Sequence, residues 1–178
     1  KGFELSGLKA AQTIPAGDSV KLVTTLVGSE VKDYDWLHQR IVVQTNDDTL
    51  SAKEIRIHAV ILPDFAHLSK SDSAKAPEIT IEKLSHNFGD ITDSKPVSYD
   101  FQFKNSGKSE LKILKVQASC GCTAGKPDQT ELKSDEKSKI RVTFDPYGRT
   151  GMQVKQIRVV TNDPKNPLVQ LTIQANVK

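Results

Sequence analysis

Residues 97–104 alternate without a break: Val97, Tyr99, Phe101 and Phe103 are apolar, while Ser98, Asp100, Gln102 and Lys104 are polar. A period of two puts the first set on one face of a pleated ribbon and the second on the other, which predicts a strand buried on one side. On a helix the same side chains would scatter around the axis. The pattern recurs at Ile140, Val142, Phe144; at Ile157, Val159, Thr161; and at Val169, Leu171, Ile173, Ala175, Val177. Between these runs lie turn formers: Asn105-Ser106-Gly107, Asp145-Pro146-Tyr147-Gly148 and Asn162-Asp163-Pro164 followed by Asn166-Pro167. Glycine, proline and Asx residues close such turns. No stretch carries a helical period of adequate length. Short strands parted by turns predict an all-β chain of immunoglobulin-like sandwich type.

The first third repeats the later half of this pattern. Val20, Leu22 and Leu26, then Ile41, Val43 and Thr45-Asn46-Asp47, then Ile55, Ile57, Ala59 and Ile61, run parallel to Ile140–Phe144, Ile157–Asp163 and Leu171–Val177. The offset is too long for a solenoid repeat and marks a duplicated domain. The expected division is a partial immunoglobulin-like unit at 1–62, a polar linker at 63–77 and a complete domain at 78–178, giving tandem sandwiches with the first incomplete. Strands like those at 79–81, 97–103 and 111–116 have no counterpart in the first unit. Leu22, Leu26, Ile41, Val43, Ile55 and Ile57 are then expected to lack a facing sheet, and the chain is expected to be a fragment of a longer protein or to be covered by a partner.

Charge excludes one class of partner. Residues 1–75 hold 9 Lys and Arg against 10 Asp and Glu, and residues 76–178 hold 16 against 12. Lys83, Lys104, Lys112, Lys115, Lys139, Arg141 and Arg158 alternate with apolar residues, the pattern of a solvated sheet face; a nucleic-acid groove needs cations clustered with stacking aromatics. No apolar run approaches the roughly 20 residues that span a bilayer. Two cysteines are too few for a disulfide scaffold.

Four ordered motifs carry a family likeness: Asn87-Phe88-Gly89-Asp90-Ile91, Phe103-Lys104-Asn105-Ser106-Gly107, Ser119-Cys120-Gly121-Cys122-Thr123, and Gly151 with Thr161-Asn162-Asp163-Pro164. Through them residues 79–178 resemble the bacterial family called domain of unknown function 1573. The resemblance implies an immunoglobulin fold akin to major-sperm-protein and Hydin-type domains, in exported or lipid-anchored proteins, and so a place in the periplasm or on the cell surface. It implies no activity. The first unit keeps the Thr-Asn-Asp corner and has no cysteines.

Most motif residues have structural work to do. Gly89 after Phe88 lets the chain turn beside a ring, and Asn162 and Asp163 can close a corner on their own backbone. Asp128, Asp145 and Asp163 lack the spacing of a calcium loop. Cys120 and Cys122 carry the sharpest chemistry, and three readings of them stand open. They are unpaired or buried thiols, or a mutual disulfide closing a tiny, reducible loop, or ligands to a soft ion with His86 or Met152. His38, His58, His67 and His86 do not fall into a zinc or catalytic spacing, and His58 reads as a surface residue opposite the isoleucines of its strand. No nucleophile elbow, zinc-protease helix or phosphate-cradling loop occurs. The expected function is a non-enzymatic cell-envelope module that binds or braces another protein or larger assembly, as a monomer or a homo-oligomer, with no cofactor; the alternative is metal handling or thiol redox at Cys120-Gly121-Cys122.

Overall fold

A computed structural model describes residues 3–7, 12–28, 31, 33–92, 94–121 and 123–178. The chain divides into two compact units, residues 1–33 and 34–178. In the first, β1 (Phe3–Ser6) pairs antiparallel with β2 (Val23–Leu26), Phe3 opposite Leu26 and Ser6 opposite Val23. Gly7 ends β1 at φ +94°, where any side chain would run into the Lys21 carbonyl.

The second unit opens with a long ribbon, β3 (Asp35–Gln44) and β4 (Ala52–Ile61), paired antiparallel over ten rungs from Asp35 opposite Ile61 to Gln44 opposite Ala52. Asp47 holds the turn by accepting from the Thr49 and Leu50 amides at 2.9 and 3.2 Å. A single helical turn, α1 (Lys70–Ser73), follows, capped by the Ser69 hydroxyl, which accepts from the Asp72 amide at 3.2 Å.

The sandwich comprises β5 (Ile79–Ile81), β6 (Ser85–Ile91), β7 (Val97–Asn105), β8 (Leu111–Ala118), β9 (Thr123–Pro127), β10 (Glu131–Leu132), β11 (Lys137–Phe144), β12 (Gly151–Thr161) and β13 (Leu168–Val177). One sheet runs β10-β8-β12-β13-β6 and the other β5-β7-β11-β9. Only the β13–β6 pair among these is parallel. Inward positions of both sheets supply one core, in which Phe101, Phe103, Leu111, Leu132, Ile140, Val142, Phe144, Ile157, Val159, Leu171 and Ile173 are all buried. Each such side chain contributes on the order of 1.5–3 kcal/mol. Their partners on β7 and β11 face out as the alternation requires: Ser98 and Thr143 hydroxyls meet at 2.8 Å, and Asp100 takes hydrogen bonds from Lys139 and Arg141.

The all-β, immunoglobulin-like class expected from the sequence is thus the one observed. The six apolar residues expected to lack a facing sheet, Leu22, Leu26, Ile41, Val43, Ile55 and Ile57, are none of them buried. Arg158, expected on a solvated face, is only 18% exposed, because Asp35 of β3 lies over it.

Candidate functional site

The motif residues at the ends of β7 and β12 converge on one corner of the sandwich and spend their polar groups on it. Asn105, fully buried, accepts through Oδ1 from the Gly107 amide at 3.0 Å. Its Nδ2 donates to the carbonyls of Ser109 at 2.8 Å and Leu132 at 3.0 Å. Gly107 is fixed by contact: a Cβ there would meet the Ala76 carbonyl and the Glu78 amide. The Thr161 hydroxyl donates to the Asn166 carbonyl at 2.9 Å and accepts from the Asp163 amide at 3.1 Å. Asn162 bonds both ways to the start of β8, its Oδ1 accepting from the Lys112 amide at 2.6 Å and its Nδ2 donating to the carbonyl of Glu110, the residue before the strand, at 3.0 Å. Asp163, also fully buried, accepts from the Ile79 amide at 3.0 Å, the Lys165 amide at 2.8 Å and Asn166 Nδ2 at 3.1 Å. Pro164 follows on the rim of the recess beside Gly107. A buried carboxylate with three donors needs no cation, and Asp145 likewise closes its own turn on the Tyr147 amide.

The remaining motif residues lie elsewhere. Gly89 sits at φ +71° within β6, opposite the register shift of β13, and its amide donates to Asn87 Oδ1 at 2.9 Å. Phe88 packs against the core and edge-on to His86. Gly151, φ +70°, starts β12. Cys120 lies in the turn that carries the chain from β8 across to β9, partly buried, with Sγ 3.6 Å from Thr123 Oγ1. Cys120 is disulfide-bonded, which sets aside the free-thiol reading for it. Cys122 lies outside the described residues, so the role of the pair remains an expectation from the sequence. His86 stacks flat on Tyr99 at 3.7 Å, and burial, with Lys83 adding, pushes its pKa below the ordinary histidine value.

A second set of residues assembles where the ribbon meets the outer face of the five-stranded sheet. Arg158 of β12 donates to buried Asp35 twice, Nε to Oδ1 at 2.7 Å and Nη2 to Oδ2 at 3.0 Å. Asp35 holds φ +76°, a conformation aspartate tolerates better than most residues. The Arg158 guanidinium lies 5.5 Å from the centre of the Trp36 ring, and Trp36 stacks on His38. His38 and His58, opposite each other in the ribbon, bring their Nδ1 atoms to 2.6 Å. Lys115, Gln117 and Ser119 complete an open groove of about 750 Å³. The four histidines were expected to form no cluster, and two of them do. The signal was present in the turn: a hairpin centred on Asp48 pairs residues whose numbers sum to 96, as 38 and 58 do.

The chain belongs to the family described as Protein of unknown function (DUF1573), whose model matches residues 79–177. No curated protein matches it by sequence. A protein of unknown function from Porphyromonas gingivalis W83 is similar at 15% identity and TM-score 0.67, over 98% of this chain and 84% of that one. That likeness shows the fold. The ASH/PapD-like domain 7 of human CEP192 aligns at 14% identity and TM-score 0.49, over 68% of this chain and 98% of that one. The VesB protease of Vibrio cholerae aligns at 13% identity and TM-score 0.47, over 57% of this chain and 32% of that one.

Proposed function

We propose that this member of the DUF1573 family is a non-enzymatic binding or bracing module of the cell envelope, with the β3–β4 ribbon as its contact surface. The observation that carries the proposal is the ribbon's own exposure. Trp36, Val42 and Val60 share one face at 45%, 44% and 41% exposed, and Ile55 on the other stands at 42%. Exposed aromatic and branched side chains on a paired, preorganised ribbon are what a protein partner anchors on. The family motif supports the same reading from the other side, since Asn105, Gly107, Thr161, Asn162 and Asp163 are occupied in holding the scaffold. Among the described residues no helix is long and apolar enough to cross a membrane.

The test places a photo-crosslinking amino acid at Val42 or Val60 in the full-length protein in its native cells. Fractionation should recover the protein with the envelope. Irradiation should give a discrete adduct from the ribbon positions and none from Lys139, on the outer face of the other sheet. Equal adducts from all three positions, or recovery in the cytosol, would refute the proposal. A double Cys120→Ser, Cys122→Ser variant should keep the adduct; its loss would favour the cysteine-centred alternative.

A further inference from the structure

His38 and His58 stand directly opposite on antiparallel strands, where β carbons lie about 5 Å apart, so the backbone register itself presents the two rings to each other. Their Nδ1 atoms are 2.6 Å apart and the rings meet nearly edge to face, at 79°. We propose that this pair is a two-imidazole site for a late first-row transition ion, Cu(II) above Ni(II) and Zn(II).

The geometry needs little adjustment. Two imidazole nitrogens at about 2.0–2.1 Å from one ion are roughly 2.9–3.4 Å apart, between a right-angled and a tetrahedral arrangement. The rings must open by less than about 1 Å from their present contact. In that contact one Nδ1 donates and the other accepts. To bind an ion, the donating ring moves its proton from Nδ1 to Nε2, a tautomeric shift that releases no proton, and both Nδ1 lone pairs then face the metal. Water fills the remaining positions, since no group of three His, Cys, Asp or Glu side chains gathers among the described residues.

The surroundings select the class of ion. Two rungs on, on the same face, Arg40 and Arg56 lie opposite each other, both on Glu54 at 3.4 and 2.6 Å. Arg158 is held by Asp35, and Lys115 also lines the groove. The nearby carboxylates, Glu54 and Asp35, are already held by these arginines, so calcium or magnesium finds no free oxygen ligand here, and hard cations bind through such oxygens. Imidazole binds through its nitrogen lone pair, and the affinity order of divalent ions for such ligands peaks at copper. With two protein ligands the ion is exchangeable, which suits uptake or transfer better than a structural staple.

Trp36 reports on the site, being the single tryptophan of the chain and stacked on His38 with ring centres 5.8 Å apart. Cu(II) titrated into the tag-free full chain should quench its fluorescence in a saturable, one-to-one manner. His38→Gln and His58→Gln should each weaken binding at least tenfold, and His86→Gln should leave it unchanged. The EPR spectrum of the Cu(II) complex should carry splitting from two ring nitrogens. Either ribbon variant binding within threefold of the parent, quenching that never saturates, or a spectrum with fewer than two nitrogens would overturn the proposal. Both histidines are exposed, and unchanged circular dichroism of the variants confirms that only the ligands were removed.

Discussion

Asp35 and Arg158, 123 residues apart, are joined by two parallel hydrogen bonds of 2.7 and 3.0 Å, with the aspartate 1% and the arginine 18% exposed. A forked, largely desolvated pair of this kind is strong in geometry, and removing one partner strands the other's charge. Asp35→Asn keeps the side chain's tolerance of positive φ and loses the charge. It should cost about 1–3 kcal/mol, fewer than a fully buried pair because Arg158 keeps some access to water. Arg158→Gln should do the same and also change Trp36 fluorescence, by taking the cation from its ring. Urea denaturation followed by circular dichroism and by Trp36 emission checks both.

Asn105 is the sharpest test of the corner. Asn105→Ala would leave the Ser109 and Leu132 carbonyls and the Gly107 amide without their present partner in a buried site. Orphaned buried groups cost about 1–3 kcal/mol each before relaxation, so a total of about 2–4 kcal/mol is expected. Asn105→Asp should be worse, since a carboxylate would face two carbonyl oxygens. Thermal unfolding of the pair against the parent gives the order.

What the sequence made legible was whatever depends on local period and local turns. Phe101 and Phe103 went inward and Asp100 outward because strand geometry leaves no choice, and the Asn105, Thr161 and Asp163 turns close largely on themselves. What stayed hidden depends on which surfaces meet across the fold. Arg158 does face away from the core, as alternation requires; nothing near it in sequence tells that Asp35 comes to cover it. His38 and His58 become neighbours only through the ribbon's register, which a one-residue slip would undo. The cysteine pair can be weighed from spacing, but spacing alone does not choose among thiol, disulfide and ligand.

Acid should act on this fold in two separate windows. Burial against Tyr99 lowers the His86 pKa from 6.5, so the folded state favours the neutral ring. That contribution is complete above about pH 6.5 and is lost as pH falls from there toward the folded-state value. Asp100 is held well below its ordinary 3.8, by hydrogen bonds from Arg141 first and Lys139 second. Its contribution is present above about pH 3.8 and is lost as pH falls further. His86→Gln should flatten stability between pH 7 and the lower end of the first window, and Asp100→Asn should make only the second less steep, since Asp47, Glu54, Asp90 and Asp135 are also held low and share it, as read by urea midpoints across pH.

Where the core residues fall decides which part of the chain can fold alone. All fifteen members of the buried cluster, from Ile79 to Val177, belong to β5 through β13. Among the described residues of 1–62 only Asp35 is buried, and its partner Arg158 lies in the sandwich. A fragment of residues 78–178 therefore keeps every large hydrophobic contribution. It loses Asp35 from above Arg158, but that guanidinium, on the outer face, then meets water instead of an uncompensated site, so the loss is small. A fragment of residues 1–62 keeps backbone pairing in its ladders and, among the described residues, no buried apolar cluster, and a two-stranded ribbon is at best marginally stable in water. Produced separately, the later fragment should give a cooperative urea transition as a monomer, and the earlier one should aggregate or show no transition. A monomeric, cooperatively folding 1–62 would show that the ribbon's side chains suffice without the sandwich.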